Sequence, residues 1–357
     1  MFYIHTFSMI RYIEKDEIDA LRNSYEDHFF FISDEATWVL NAFLDHGLRV
    51  EISPIPSDNG VRRFNRNHPC YKAILFITPA KLLNPGINLG GLTSRIDISD
   101  ACYHLERIMA SIENESGINL MTGAVLSRVD VTKDVIMPSD LYSRELIRAA
   151  KKSINKHGYN LYSPSTHHDF RVEWRDEDTM MFQNKNQHIA AKIYNKKRGL
   201  ELNNCLTEVK DLGNRGLLRF ELSLYAQRIK ADYQTDGGND VDQLSDVLWA
   251  ITEDAPQLFH RHFVQVFFPG KMVSRSELKK SIKRECPDKR KRPKGMLAFS
   301  SDLSQNGVIS SKKIYTEREF STRLMWFRDL GVSPVCVCKE CSTIPSFSML
   351  LAQKNTG

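Results

Sequence analysis

The 357-residue chain lacks any apolar run near the roughly 18 residues that a membrane-spanning helix needs. Its opening, "MFYIHTFSMIRYIEKDEIDA", turns acidic where a cleavable leader would stay apolar. Both absences point away from a membrane and toward the cytoplasm. The seven cysteines are odd in number, and Cys70, Cys102, Cys205 and Cys286 follow no scaffold spacing, which excludes a disulfide framework and suits a reducing compartment. "CVCKEC" (Cys336, Cys338, Cys341) offers three thiols where a thiolate zinc site needs four ligands, so the cluster reads as incidental. Repeats of solenoid period and low-complexity tracts are also absent. With 41% hydrophobic and 26% charged residues, the chain can bury a sizeable core and should mostly fold.

Charge is not scarce, with 49 basic and 44 acidic residues, but the net is only +5 and is unevenly spread. From Arg275 to Lys294 the chain carries +7, leaving the remainder slightly acidic. Such a block is either a solvated face or a phosphate-contacting arm. We expect a large first region, 1–270, a basic linker or arm, 271–295, and a small helical module, 296–357.

Hydrophobic periodicity supplies the elements. "ATWVLNAFLDHG" has helical spacing ending at a glycine, and "YKAILFIT" reads as a buried strand. "SDACYHLERIMASIENESG" reads as a helix capped by Ser99 and stopped by Gly117, and "SDLYSRELIRAAKKSINKHG" as one running from a Ser139 cap to Gly158. "AVLSRVDVTKDV", "HDFRVEW", "HIAAKIYNK" and "GLLRFELSLY" read as strands separated by polar turns. A helix follows at "DVDQLSDVLWAITEDAP", and Thr316 with Glu319 forms a capping box for a last helix ending at Gly331. The expected fold is α+β, a mainly antiparallel sheet with helices packed on one face, plus a C-terminal helical, helix-turn-helix-like module.

Strand alternation decides which side chains share a face. Arg128 and Asp130 fall opposite Val129 and Val131; Tyr194 falls with Lys192 and His188; Arg219 and Glu221 fall opposite Leu218, Phe220, Leu222 and Leu224. An outward face thus gathers two carboxylates, two arginines, a lysine, a histidine and a tyrosine. The plainer reading makes Arg128 with Glu221, and Arg219 with Asp130, cross-strand ion pairs on a wet face. The chemical reading gives the carboxylates a divalent cation and a substrate phosphate the basic groups, with the tyrosine hydroxyl as nucleophile.

"FITPAKLLNPGINLGG" (76–91), "LSRVDVT" (126–132), "DFRVEW" (169–174), "AAKIYNKKRGLE" (190–201) and "LLRFELSL" (217–224) occur in an order and spacing that resembles the gene II/X replication proteins of filamentous phages. The series also looks like that of Rep_trans-type plasmid rolling-circle initiators. The resemblance implies an endonuclease and strand transferase in region 1–270 that nicks one strand of a double-stranded origin and later reseals the displaced single strand. It makes Tyr194 the nucleophile that keeps the 5′ end as a phosphotyrosine and leaves a 3′-OH primer for the host polymerase and helicase. Asp130 and Glu221, with Glu201 as a third, would bind Mg²⁺ or Mn²⁺; Arg128, Lys192, Lys196 and Arg219 would contact phosphate, as would Lys289, Arg290, Lys291 and Arg292 in the basic arm. Many rolling-circle nucleases instead bind metal through a histidine pair, but "HRH" (His260 to His262) has a charged centre and reads as ordinary surface. The competing class is a non-catalytic origin-binding or regulatory protein, which has no need of Tyr194 and two carboxylates on one face.

Overall fold

The structure, a computed structural model, describes residues 1–33, 36–55, 71–85, 90–154, 156–162, 176–202, 205–233, 241–285 and 291–353. Among these, ten strands form one sheet: β1 (Tyr3–Ile13), β2 (Phe29–Ile32), β3 (Thr37–Leu40), β4 (Leu48–Pro54), β5 (Tyr71–Ile77), β6 (Val125–Met137), β7 (Asn160–Tyr162), β8 (Thr179–Asn184), β9 (Ile189–Asn195) and β10 (Gly216–Tyr225). Their order is β2-β3-β4-β5-β1-β6-β10-β9-β8-β7. The pairings from β2 through β1 to β6, and from β7 through β8 to β9, are antiparallel. The α+β class expected from the sequence holds. The strand expected at "HDFRVEW" lies outside the described residues.

Packing divides the chain into two compact units, one of residues 2–132 and 223–255, the other of Met1, 133–222 and 256–357. These units do not follow the sequence order of the regions 1–270, 271–295 and 296–357. Their boundaries cut the long strands β6 and β10.

In the first unit alternation runs along β4 and β5 and is broken at Ser8, buried between Phe7 and Met9, and at Val39 and Leu40, both buried. Phe7, Met9, Val50, Ile52, Ala73, Leu75 and Ile77 are buried, whereas their neighbours Ile10, Tyr12, Arg49, Glu51, Lys72, Ile74 and Phe76 are half-buried or exposed. The helices Lys15–Ser24 and Arg95–Ser116 bury Ile18, Leu21, Ile98, Leu105, Met109 and Ile112, the apolar stripes that cover one side of such a sheet. Two expectations need correction. The helix over "ATWVLNAFLDHG" is instead β3 followed by a short 3₁₀ turn, Leu44–His46, because Trp38, Val39 and Leu40 pair between β2 and β4 and tertiary pairing overrides local spacing. The cap of Arg95–Ser116 is Ser94 and not Ser99, because Ser94 and Asp97 satisfy each other's backbone N–H groups in a capping box.

The second unit has an aromatic core. Phe220 on β10 meets Phe263 edge-on at 5.4 Å between centroids, and Phe267 stacks on Phe347 at 4.3 Å. The helix Asp140–Lys151 starts after Ser139 as expected but ends well short of Gly158. Ser153 bonds back to the Ala149 carbonyl at 2.5 Å and competes with a further helical turn. Within the basic region, residues 275–285 form the helix Arg275–Glu285, with Leu278 and Ile282 buried, so this part is a packed element and not a linker. The helix Glu317–Asp329 has the predicted Thr316/Glu319 capping box.

Candidate functional site

β9 carries Tyr194 and Lys192, and its neighbour β10 carries Glu221 and Arg219. The strand period of two brings these four to one face, and in the second unit they meet. The Tyr194 hydroxyl donates to Glu221 Oε2 at 3.2 Å, and Lys192 Nζ donates to Glu221 Oε1 at 3.0 Å. Arg219 grips Asp134 with two hydrogen bonds, Nε to Oδ1 at 2.6 Å and a terminal nitrogen to Oδ2 at 2.7 Å, and also bonds Tyr194. This is a bidentate, charge-assisted pair of the strong kind.

The polar face is not wet here. β10 is buried on both faces; Arg219 is 0% and Glu221 5% exposed. Tyr194, Lys192 and Lys196 are half-buried, so the cluster has a closed floor of Arg219, Asp134 and Glu221 beneath a partly accessible rim. Two further corrections follow. Arg219 pairs with Asp134, not Asp130, and Arg128 pairs with Asp130 through its Nε at 2.7 Å, not with Glu221. Asp134 is the member of this cluster that sequence reasoning passed over. Its signal was present: in "RVDVTKDV" it has the same strand parity as Asp130.

Electrostatics follow from burial. The Tyr194 phenol is pushed well above its ordinary value of 10 by burial and then by the Glu221 carboxylate, so at rest it is a neutral donor. Lys196, immediately after β9, is pulled down to about 8 by burial and the adjacent Arg219 guanidinium. For a lysine a lowered value means that the fold bears the cost of its ammonium fully below about pH 8 and is relieved of it as pH rises toward 10.5. An incoming anion would offset that cost.

The remaining candidates stand apart from this cluster in their contacts. Asp130, in the first unit, is buried and accepts from Thr6 Oγ1 at 2.5 Å as well as from Arg128. Glu201, on the helix Lys196–Leu202, pairs with Arg198 at 3.2 Å. Among the described residues no three His, Cys, Asp or Glu side chains are grouped so as to hold a metal ion. Glu221, Asp130 and Glu201 each face a cation of the protein, Lys192, Arg128 and Arg198 respectively. His260 is exposed as expected. His262, however, is fully buried and bonded through Nδ1 to Tyr159 at 2.5 Å, a packed core histidine and not a surface one.

No known family model matches the chain, and no curated protein matches it either. The site therefore stands on its own chemistry. Lys289 and Arg290 lie outside the described residues, and Lys291 begins a helical stretch, Lys291–Ser311, that is broken into two helices by a kink at Gly307. Arg292 bonds Asp329 at 3.3 Å and lies over the Trp326 ring at 5.5 Å, contacts that tie it into the helical segment. Among the described residues no helix is long and apolar enough to cross a membrane.

Proposed function

We propose that the protein is a rolling-circle replication initiator, a site-specific DNA strand transferase of the bacterial cytoplasm that uses Tyr194 as its nucleophile. One observation carries the reading: a tyrosine hydroxyl, a carboxylate at 3.2 Å and a set of basic groups around both. A phosphodiester drawn to Lys192 and Lys196 would present its phosphorus to the phenol. Tyr194 Oη would form the new P–O bond while Glu221 takes the phenolic proton, and the bond from phosphorus to the 3′ oxygen would break. The products are a 5′-phosphotyrosine and, after protonation, a free 3′-OH. The phosphodiester energy is conserved, so the reverse step reseals the displaced strand.

The raised Tyr194 pKa supports a concerted proton transfer to Glu221 over a standing phenolate. Arg219, held rigid by Asp134 and bonded to Tyr194, would fix the phenol in position from the floor of the site. Lys192 has a second task. When phosphate draws its ammonium from Glu221, the carboxylate becomes a stronger base at the moment the proton must move.

The test is nicking of supercoiled DNA from the replicon that encodes the gene, with Mg²⁺ or Mn²⁺ present, comparing wild type with Tyr194→Phe. Relaxed circles from wild type alone, with protein attached to a 5′ end, are the expected result. Equal activity in the variant would remove Tyr194 as nucleophile. Binding without scission by wild type would support the origin-binding, non-catalytic class.

A further inference from the structure

The accessible face of the sheet in the first unit is not an ordinary polar surface. Cross-strand register arranges it in three rows. The middle row runs Phe30, Val39, Glu51, Ile74, Ile10, Val125 across six strands and is apolar except for Glu51; Val39 in it is buried, and the other five are exposed or half-buried. One flanking row places Tyr12 opposite Lys72; the other places Phe76 between Arg49 and Ser8, with Arg128 beyond Ser8. Tyr12 is 58%, Phe30 45% and Phe76 36% exposed. A half-wet sheet normally presents polar side chains at such positions, and rings this accessible on one face call for an occupant.

We propose that this face is a platform for single-stranded DNA. Each of the two flanking rings has a cation as its directly opposite neighbour, Tyr12 with Lys72 and Phe76 with Arg49, which at rest is paired with Glu51 at 2.6 Å and would have to exchange that carboxylate for a phosphate. That is the composition single strands require, an aromatic plane for each stacked base beside a positive group for its phosphate. Five strand-to-strand steps of about 4.8 Å give the middle row a span of about 24 Å, long enough for a short stretch of nucleotides laid across the strands. A protein partner would instead favour a continuous apolar patch, and the flanking rows break this one with Lys72, Arg49 and Ser53. Duplex DNA hides its base planes and gains little from exposed rings. The platform is independent of the Tyr194 reading, since all its residues belong to the first unit.

The experiment is fluorescence anisotropy of the full chain with a labelled, mixed-sequence DNA 20-mer. Tyr12→Ala and Phe76→Ala should each weaken binding roughly tenfold. Lys72→Gln should weaken it less and lower the salt slope by about 0.7. Unaltered thermal melting shows that the variants fold, and Lys72→Gln keeps the test open if an aromatic variant does not. The assay reads binding with no scission step, which separates this result from the nicking assay. Full affinity in the folded ring variants would overturn the platform, as would equal competition by the duplex of the same sequence. Tighter binding of the corresponding RNA would overturn the DNA assignment. A wild-type dimer in sedimentation that the ring substitutions dissociate would assign the face to a second copy of the chain.

Discussion

Arg219 is the most consequential buried charge in the second unit. It has no exposed surface, and its guanidinium reaches both oxygens of Asp134. Removing one partner of such a pair leaves the other uncompensated in a low dielectric, which typically costs about 3–5 kcal/mol. Arg219→Met should lower stability by that amount in urea unfolding, and Asp134→Asn by a comparable one. The double variant should recover part of the loss, because the stranded charge disappears; a strictly additive double variant would show that the two do not act as a pair. Alternation in the sequence was enough to put Tyr194, Lys192, Arg219 and Glu221 on one face. It could not choose between Asp130 and Asp134 as the partner of Arg219. The side-chain period of two leaves the register between neighbouring strands open by even steps, and only the pairing of whole strands settles it. Arg128 is a different case: its partner Asp130 is its own same-face neighbour two residues along β6, a pairing that needs no register.

At the scale of elements, β10 holds the site because it is buried on both sides. Its first residue, Gly216, sets how closely the helix Asp140–Lys151 docks. A Cβ there would lie 2.6 Å from Ser143 Oγ and 2.7 Å from the Ser139 carbonyl oxygen, the second a backbone atom with little freedom to retreat. Gly216→Ala should therefore destabilise the fold by about 1–3 kcal/mol through overpacking. Thermal melting checks this, and an unchanged midpoint would mean that the turn at Ser139 yields. From sequence, "NRGLLRF" is legible as a turn leading into a strand, but the docking role of the glycine is not. Self-contained elements were legible for the same reason: the Thr316/Glu319 box and the β10 span depend on residues next to each other in the chain. β3 was not, because Trp38 to Leu40 take their conformation from β2 and β4.

At the scale of the whole molecule, the two units interleave along the chain, and no composition shift marks a boundary that falls inside a strand. The basic segment likewise has more than one character. Arg275–Glu285 is a packed helix, and Arg292 is occupied by Trp326 and Asp329. If the proposed function holds, the phosphate-contacting work of the segment falls on its other cations. Replacing Lys289, Arg290 and Lys291 with Gln, while keeping Arg292 for its packing, should weaken duplex binding by a similar factor for every sequence. The slope of log affinity against log salt should also fall by up to about 3, since each phosphate contact on duplex DNA contributes about 0.9. Anisotropy titrations from about 50 to 200 mM salt read both quantities. An unchanged slope would take these three residues off the DNA. A loss confined to the origin sequence would make them readers of bases, because a phosphate contact carries no sequence information of its own.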